Sequence, residues 1–180
     1  MAELLQSLDA FVASVQLDDM DRQLDGATGL RKLLSIERNP PIDAVIATGV
    51  IPRLKELLMN DERPRIQFEV AWALTNVASG NSQHTATVVG SGIVPVFTRL
   101  LSSPDADVRE QVIWGLGNIA GDTTQLRDVV LGSGALEPLM AAMSVNNSPK
   151  LTLLRNATWT ISNLVSLSVR KGKSRGGGAP

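Results

Sequence analysis

Cysteine is absent from all 180 residues. That absence removes disulfide scaffolds, thiol catalysis and cysteine-rich zinc sites together, and it suits a reducing compartment. Histidine occurs once, at His84, and no metal-ligand cluster, phosphate-binding glycine loop or nucleophile motif accompanies it. An excess of one charge is missing too. With 17 basic against 18 acidic residues, no global field steers the chain to nucleic acid or an anionic membrane. No apolar run approaches the roughly 18 residues of a membrane span, and the N-terminus lacks the basic and apolar regions of a secretory leader. The expectation is a soluble intracellular chain. Its 43% hydrophobic content argues against disorder and allows a sizeable core.

Aromatic residues are scarce, at 3%, and every tryptophan belongs to one recurring phrase: Trp72-Ala-Leu-Thr-Asn76, Trp114-Gly-Leu-Gly-Asn118 and Trp159-Thr-Ile-Ser-Asn163. The steps from 72 to 114 and from 114 to 159 are 42 and 45 residues. Such a period marks a helical solenoid, whose units are too small to bury their apolar faces alone and must stack. On a helix, Trp and Asn four apart share a face, one turn of about 5.4 Å from each other.

The same punctuation surrounds each phrase. Gly49-Val-Ile-Pro52, Gly92-Ile-Val-Pro95 and Gly134-Ala-Leu-Glu-Pro138 each precede a leucine-rich segment. Gly ending one helix and Pro in the first turn of the next is the asymmetry of two helices meeting at a corner. Each unit therefore has a short first helix (42–48, 85–91 or 125–133), a second after the corner, and a longer third carrying Trp and Asn. The third helices open near Arg63-Pro64, Pro104-Asp105 and Ser148-Pro149. Complete units fall at 41–80, 81–122 and 123–167. Residues 1–40 form a partial first unit with helices at 4–16 and 20–37, and Thr28 and Lys32 stand in the Trp and Asn register. Residues 168–180 are basic and glycine-rich, the composition of a disordered tail. Neither end resembles a polar cap; Ile161, Leu164 and Val165 in the last helix have nothing apolar after them to cover what faces onward.

Each third helix already owns an apolar stripe without its tryptophan: Phe68 or Val70 with Leu74 and Val77; Val112 or Ile113 with Leu116 and Ile119; Leu154 or Ala157 with Ile161 and Leu164. The asparagines also argue for exposure, since an unpaired buried amide costs about 1–3 kcal/mol. Third helices side by side at about 8–10 Å make a ladder roughly 20 Å long, which about six residues of extended chain match. Asn donates and accepts, so it can pair with peptide backbone of any sequence. Slots between indoles accept an aliphatic stem ending in a cation. Asp122, one turn after Asn118 at a helix C-terminus, should attract an ammonium. Glu69, Gln111 and Asn156, each three before a Trp, belong to the same face. His84 is expected to be a solvated helix-start residue, and Gly-Ser-Gly at 132–134 a helix corner rather than a nucleotide loop.

These residues carry a family likeness. Phe68-Glu-Val-Ala-Trp72-Ala-Leu-Thr-Asn76-Val-Ala-Ser-Gly80, Glu110-Gln-Val-Ile-Trp114-Gly-Leu-Gly-Asn118-Ile-Ala-Gly-Asp122 and Arg155-Asn-Ala-Thr-Trp159-Thr-Ile-Ser-Asn163 strongly resemble the armadillo repeats of importin-alpha (karyopherin-alpha), over about residues 20–167. Generic armadillo proteins lack this regular Trp/Asn ladder. The resemblance implies an all-α, right-handed armadillo-repeat superhelical solenoid of about four repeats. It implies an adaptor, without enzymatic activity or cofactor, that recognises Lys/Arg-rich nuclear localisation signals on cargo proteins. In the family the three phrases form the major signal site on the concave face, with the peptide antiparallel to the repeats. Carried over, Trp72, Trp114 and Trp159 would sandwich basic side-chain stems, and Asn76, Asn118 and Asn163 would hold the peptide backbone. Asp122 with Thr85 and the Gly80 carbonyl would receive the most deeply placed lysine, Ser79 is a further peptide-binding position, and Gln111, Asn156 and Glu37 match accessory polar positions. Cytoplasm and nucleus are the implied locations; nucleic acid, membrane and metal are not implied partners.

Departures from the family pattern qualify the likeness. Family members carry an N-terminal importin-beta-binding segment dense in Arg and Lys, whereas the first thirty residues here hold only Arg22. Recruitment of importin-beta is therefore not expected, and the groove that segment fills in the free adaptor should be open. The later repeats, with the minor signal site and the export-receptor surface, are missing, so the likeness is to the first four repeats, as in a truncated fragment. Ser166 stands near a place usually held by Arg. The alternative reading is an armadillo scaffold for protein assembly without signal recognition.

Overall fold

The computed structural model describes residues 2–144 and 150–173. Its helices are α1 (Ala2–Gln16), α2 (Met20–Leu34), α3 (Ile42–Ala47), α4 (Ile51–Leu58), α5 (Pro64–Ala78), α6 (Ser82–Gly90), α7 (Ile93–Leu100), α8 (Ala106–Asp122), α9 (Thr124–Gly132), α10 (Leu136–Ala142) and α11 (Leu151–Lys173). Among the described residues there is no strand, and no helix is long and apolar enough to cross a membrane. The order short, short, long repeats three times from α3 onward, after the pair α1 and α2.

Local chemistry sets the corners. Gly49, Gly92 and Gly134 have φ of 70°, 72° and 77°, the left-handed region that a side chain disfavours. Each corner turns a first helix into a second, whose first turn holds Pro52, Pro95 or Pro138. Pro64 opens α5 at its first position, where a missing N–H is harmless. Asp105 caps α8, its carboxylate accepting from the Asp107 and Val108 N–H groups at 2.9 and 3.0 Å. The break expected at Ser148-Pro149 lies outside the described residues.

Packing follows the repeat. The long helices stack in the series α2, α5, α8 and α11, each against the next. Val70, Leu74 and Val77 on α5 and Val112, Leu116 and Ile119 on α8 are wholly buried. Burying such a side chain is worth about 1.5–3 kcal/mol, so the stack of long helices is a main source of cohesion. Trp72 lies two residues from both Val70 and Leu74, about 200° around the helix from each. Turning the aliphatic stripe inward therefore turns the indole away from it.

Two features differ from sequence expectation. α11 runs to Lys173, so residues 168–173 are helical where a disordered tail was expected. No Gly or Pro interrupts the sequence from Leu151 until Gly172, and nothing stops propagation before that point; residues 174–180 lie outside the described ones. In the last unit Leu164 is buried in the core, whereas Val165, Leu151 and Met140 are exposed, so only part of the apolar surface there is uncovered.

Candidate functional site

α5, α8 and α11 bring the three phrases onto one surface. Trp72 and Trp114 are half-buried and Trp159 is 42% exposed, and the three asparagines are half-buried. None of the six belongs to the core.

Each asparagine is held by the long helix before its own. Asn118 Nδ2 donates to the Thr75 carbonyl at 3.2 Å, and Asn163 Nδ2 donates to the Gly117 carbonyl at 3.0 Å. Thr75 and Gly117 occupy equivalent places, three residues after their tryptophans. Asn76 reaches the same register through a relay: its Nδ2 donates to Ser35 Oγ at 3.0 Å, and Ser35 Oγ donates to the Arg31 carbonyl at 2.7 Å. These bonds orient the amides through one N–H. Among the described residues the second N–H and the amide oxygen of each make no further hydrogen bond, which leaves both a donor and an acceptor unused.

Below Asn118 and Asn163 is a depression of about 310 Å³ whose lining includes Ser79, Gly80, Thr85, Asn118, Asp122, Trp159 and Asn163. Asp122 ends α8. Its Oδ1 accepts from Ser82 Oγ at 2.7 Å, and its buried Oδ2 has no partner among the described residues. A buried carboxylate oxygen without a donor is costly, and a cation in the depression would supply one. Thr85 is buried and its hydroxyl donates to the Ala78 carbonyl at 3.1 Å, which fixes the oxygen while leaving it able to accept. Ser79 caps α5, donating to the Asn76 carbonyl at 2.8 Å. Gly80 is required by its neighbour: a Cβ there would stand 2.2 Å from His84 Nδ1.

His84 itself corrects an expectation. It does start a helix, but it is buried rather than solvated. Its Nδ1 accepts from the Asn81 N–H at 3.2 Å while the Asn81 side chain accepts from the His84 N–H at 3.0 Å, a reciprocal capping box. Its Nε2 then donates to Asp43 Oδ1 at 2.7 Å, linking α6 to α3. The sequence contained the Asn-x-x-His spacing, but not the neighbouring carboxylate one repeat away.

The ladder is uneven at its first rung. Arg31 on α2 places its guanidinium carbon 4.8 Å from the centroid of the Trp72 ring. Its Nε and Nη2 donate to the two Glu69 carboxylate oxygens at 2.7 and 3.3 Å. Phe68 meets the same indole edge-on, at 5.6 Å and 71°. Glu69 is thus an ion-pair partner within the protein. Gln111 is buried and its Nε2 has no partner among the described residues, Asn156 is half-buried on α11, and Glu37 is exposed between α2 and α3.

A family model for the Armadillo/beta-catenin-like repeat matches residues 38–79, 81–121 and 123–166. The chain belongs to the armadillo-repeat family. Within that family it resembles importin alpha. Importin subunit alpha-4 of Arabidopsis thaliana is 63% identical over 159 residues, covering 88% of this chain and 29% of that protein. Importin subunit alpha-1b of Oryza sativa subsp. japonica is 55% identical over 163 residues, covering 91% of this chain and 30% of that protein. The armadillo chain therefore spans about 30% of the length of the curated relatives it matches. Among solved structures, a designed armadillo repeat protein in complex with the peptide (KR)4 superposes with a TM-score of 0.78 at 22% identity, covering 87% of this chain and 63% of that one. That likeness shows the fold alone.

In this armadillo solenoid Ser79, Gly80, Thr85, Asn118, Asp122, Trp159 and Asn163 share the depression. Trp72, Asn76, Gln111, Trp114 and Asn156 lie outside it on α5, α8 and α11. Sequence reasoning missed Arg31, Ser35 and Ser82, and missed that the carbonyls of Thr75 and Gly117 anchor the asparagines. Arg31 and Glu69 carry opposite charges in successive units, but Arg31 stands three after the Trp register and Glu69 three before it, so register alone did not pair them. Ser82 and Asp122 pair across 40 residues without even complementary charge to suggest it.

Proposed function

We propose that this armadillo chain binds extended Lys/Arg-rich segments, of the nuclear-localisation-signal type, as the recognition portion of a nuclear import adaptor. The observation carrying this reading is the set of three tryptophans in register, each with an asparagine one turn on, whose amide is oriented by the preceding helix. A surface of that kind suits main chain at the asparagines and aliphatic stems with terminal cations at the indoles.

The depression deepens the reading. A lysine ammonium entering it meets the unpartnered Asp122 Oδ2, the Thr85 hydroxyl and the Gly80 carbonyl at its rim. A hydrogen bond to a charged group is worth about 1.5–3 kcal/mol, so this one position would contribute more than any single exposed cation–π contact. The buried, unpartnered Gln111 Nε2 is a further donor one turn before Trp114, suited to a peptide carbonyl. The partners would be proteins bearing basic signals, met in the cytoplasm and carried to the nucleus, with the chain acting by binding and not by catalysis.

Titration with a lysine-rich peptide, followed by tryptophan fluorescence, tests the proposal. Saturable binding in the micromolar range or tighter, weakened by salt and largely lost in Trp114→Ala and Asn118→Ala, is the expected result. No spectral change at saturating peptide, or equal affinity in both folded variants, would overturn it.

A further inference from the structure

The three tryptophans are not equally available. The position three residues after each Trp register differs from helix to helix: Arg31 on α2, Thr75 on α5 and Gly117 on α8. Gly117 adds no side chain beneath Trp159, whose ring lies so close that a Cβ would stand 2.4 Å from Cζ3. Arg31, in the equivalent place, lays its guanidinium over Trp72. Its side chain and that of Glu69 are 19% and 15% exposed, and the paired Nε and Nη2 bonds fix the plane of the group. One step further along α2, exposed Lys32 holds the register that Asn76, Asn118 and Asn163 hold in later units.

We infer that Arg31 is a specificity-determining residue that ends the basic-residue requirement at Trp72. This inference rests on the reading given under Proposed function. A ligand side chain reaching past Trp72 toward α2 meets a ring face already covered by a cation, a carboxylate already paired, and the further cation Lys32. A base gains nothing there, whereas an uncharged side chain loses nothing. Among the described residues, no cation stacks on Trp114 or Trp159 as Arg31 does on Trp72. The bound segment is therefore a short basic run followed, on the α2 side, by a residue that need not be basic. The internal cation occupies the place that a further lysine of a longer run would take.

The test compares two alanine-flanked peptides, one with four consecutive lysines and one with six, on the full chain and on Arg31→Met. Methionine keeps an aliphatic stem over the indole but frees Glu69. Lengthening the run adds sliding registers equally in both proteins, so the readout is the ratio of the two gains in affinity. Arg31→Met should enlarge the gain by roughly three- to tenfold over wild type. In wild type the Trp72 indole N–H resonance should not shift further when six lysines replace four. That second measurement does not depend on the variant folding, and Arg31→Lys, which keeps the charge without the planar paired bonds, should give an intermediate gain. Equal gains in wild type and a folded Arg31→Met, or a further Trp72 shift in wild type, would overturn the inference while leaving the binding proposal intact. Failure of both peptides to bind wild type would remove the two together.

Discussion

Asn163 donates its side-chain N–H to the carbonyl of Gly117, 46 residues earlier, at 3.0 Å. Because Asn118 makes the equivalent bond to Thr75, the amides that would meet a ligand are also ties between successive repeats. A ligand then finds them already oriented, and the entropy cost of ordering them on binding is reduced.

Replacing Asn163 by Ala should therefore affect two measurements. Loss of a partly buried hydrogen bond predicts about 1 kcal/mol less stability in denaturant unfolding. Affinity for a lysine-rich peptide should fall roughly tenfold. A stability loss with unchanged affinity would mean that the tie is the residue's whole role.

Gly117 tolerates no side chain. A Cβ there would stand 2.4 Å from Trp159 Cζ3 and 2.5 Å from Thr160 Oγ1, and Thr160 is itself buried and bonded to the Ile113 carbonyl at 2.9 Å. Gly117→Ala should cost about 1–3 kcal/mol as the α8–α11 contact opens. Equilibrium unfolding would report the cost, and Trp159 fluorescence the displaced ring.

Asp122 separates ligand binding from stability in the opposite sense. Asn at this position removes the charge offered to an ammonium and relieves a buried oxygen that has no partner. Asp122→Asn should lower lysine-peptide affinity roughly 10- to 100-fold and flatten its salt dependence. Thermal stability should not fall. Isothermal titration at two salt concentrations, with a melting curve, checks both parts.

Asp61 supplies the pH prediction. Arg99 Nη1 donates to its carboxylate at 2.7 and 2.8 Å, and Gln67 Nε2 donates at 3.0 Å. The Arg99 bond first, and the Gln67 bond after it, hold the Asp61 carboxyl below the usual carboxylate range. A depressed folded-state value stabilises the protein above the unfolded value, near 4. That contribution disappears as pH falls through the lower, folded value. Because Asp61 is largely exposed, solvent screening keeps the effect under about 1 kcal/mol. Asp61→Asn should remove this part of the acid dependence of unfolding while leaving stability at neutral pH within that margin. An unchanged acid limb in the variant would contradict the assignment.

The repeat was legible in the sequence because its signals are local. Gly49, Gly92 and Gly134 need left-handed backbone, the prolines sit in first turns, and the aliphatic residues return every third or fourth place; each is decided within one helix or corner. The Trp/Asn face was legible for the same reason, since i and i+4 share a face whatever the tertiary context. His84 was misread because its partner Asp43 belongs to the preceding unit. Residues 168–173 were misread because their composition suggested a tail, whereas helix propagation meets no Gly or Pro between Leu151 and Gly172.

By itself, then, the sequence determined the period, the three-helix unit and the turning of tryptophan and asparagine away from the aliphatic stripe, because helix geometry converts spacing directly into direction. Only the tertiary structure decided how each rung is supported: Asn118 and Asn163 tied to carbonyls, Asn76 to Ser35, Asp122 to Ser82, and Trp72 covered by Arg31. Those pairings join residues 40 to 46 apart in the chain. They depend on the lateral register of one repeat on the next, which packing of the buried stripes sets and which no local pattern encodes.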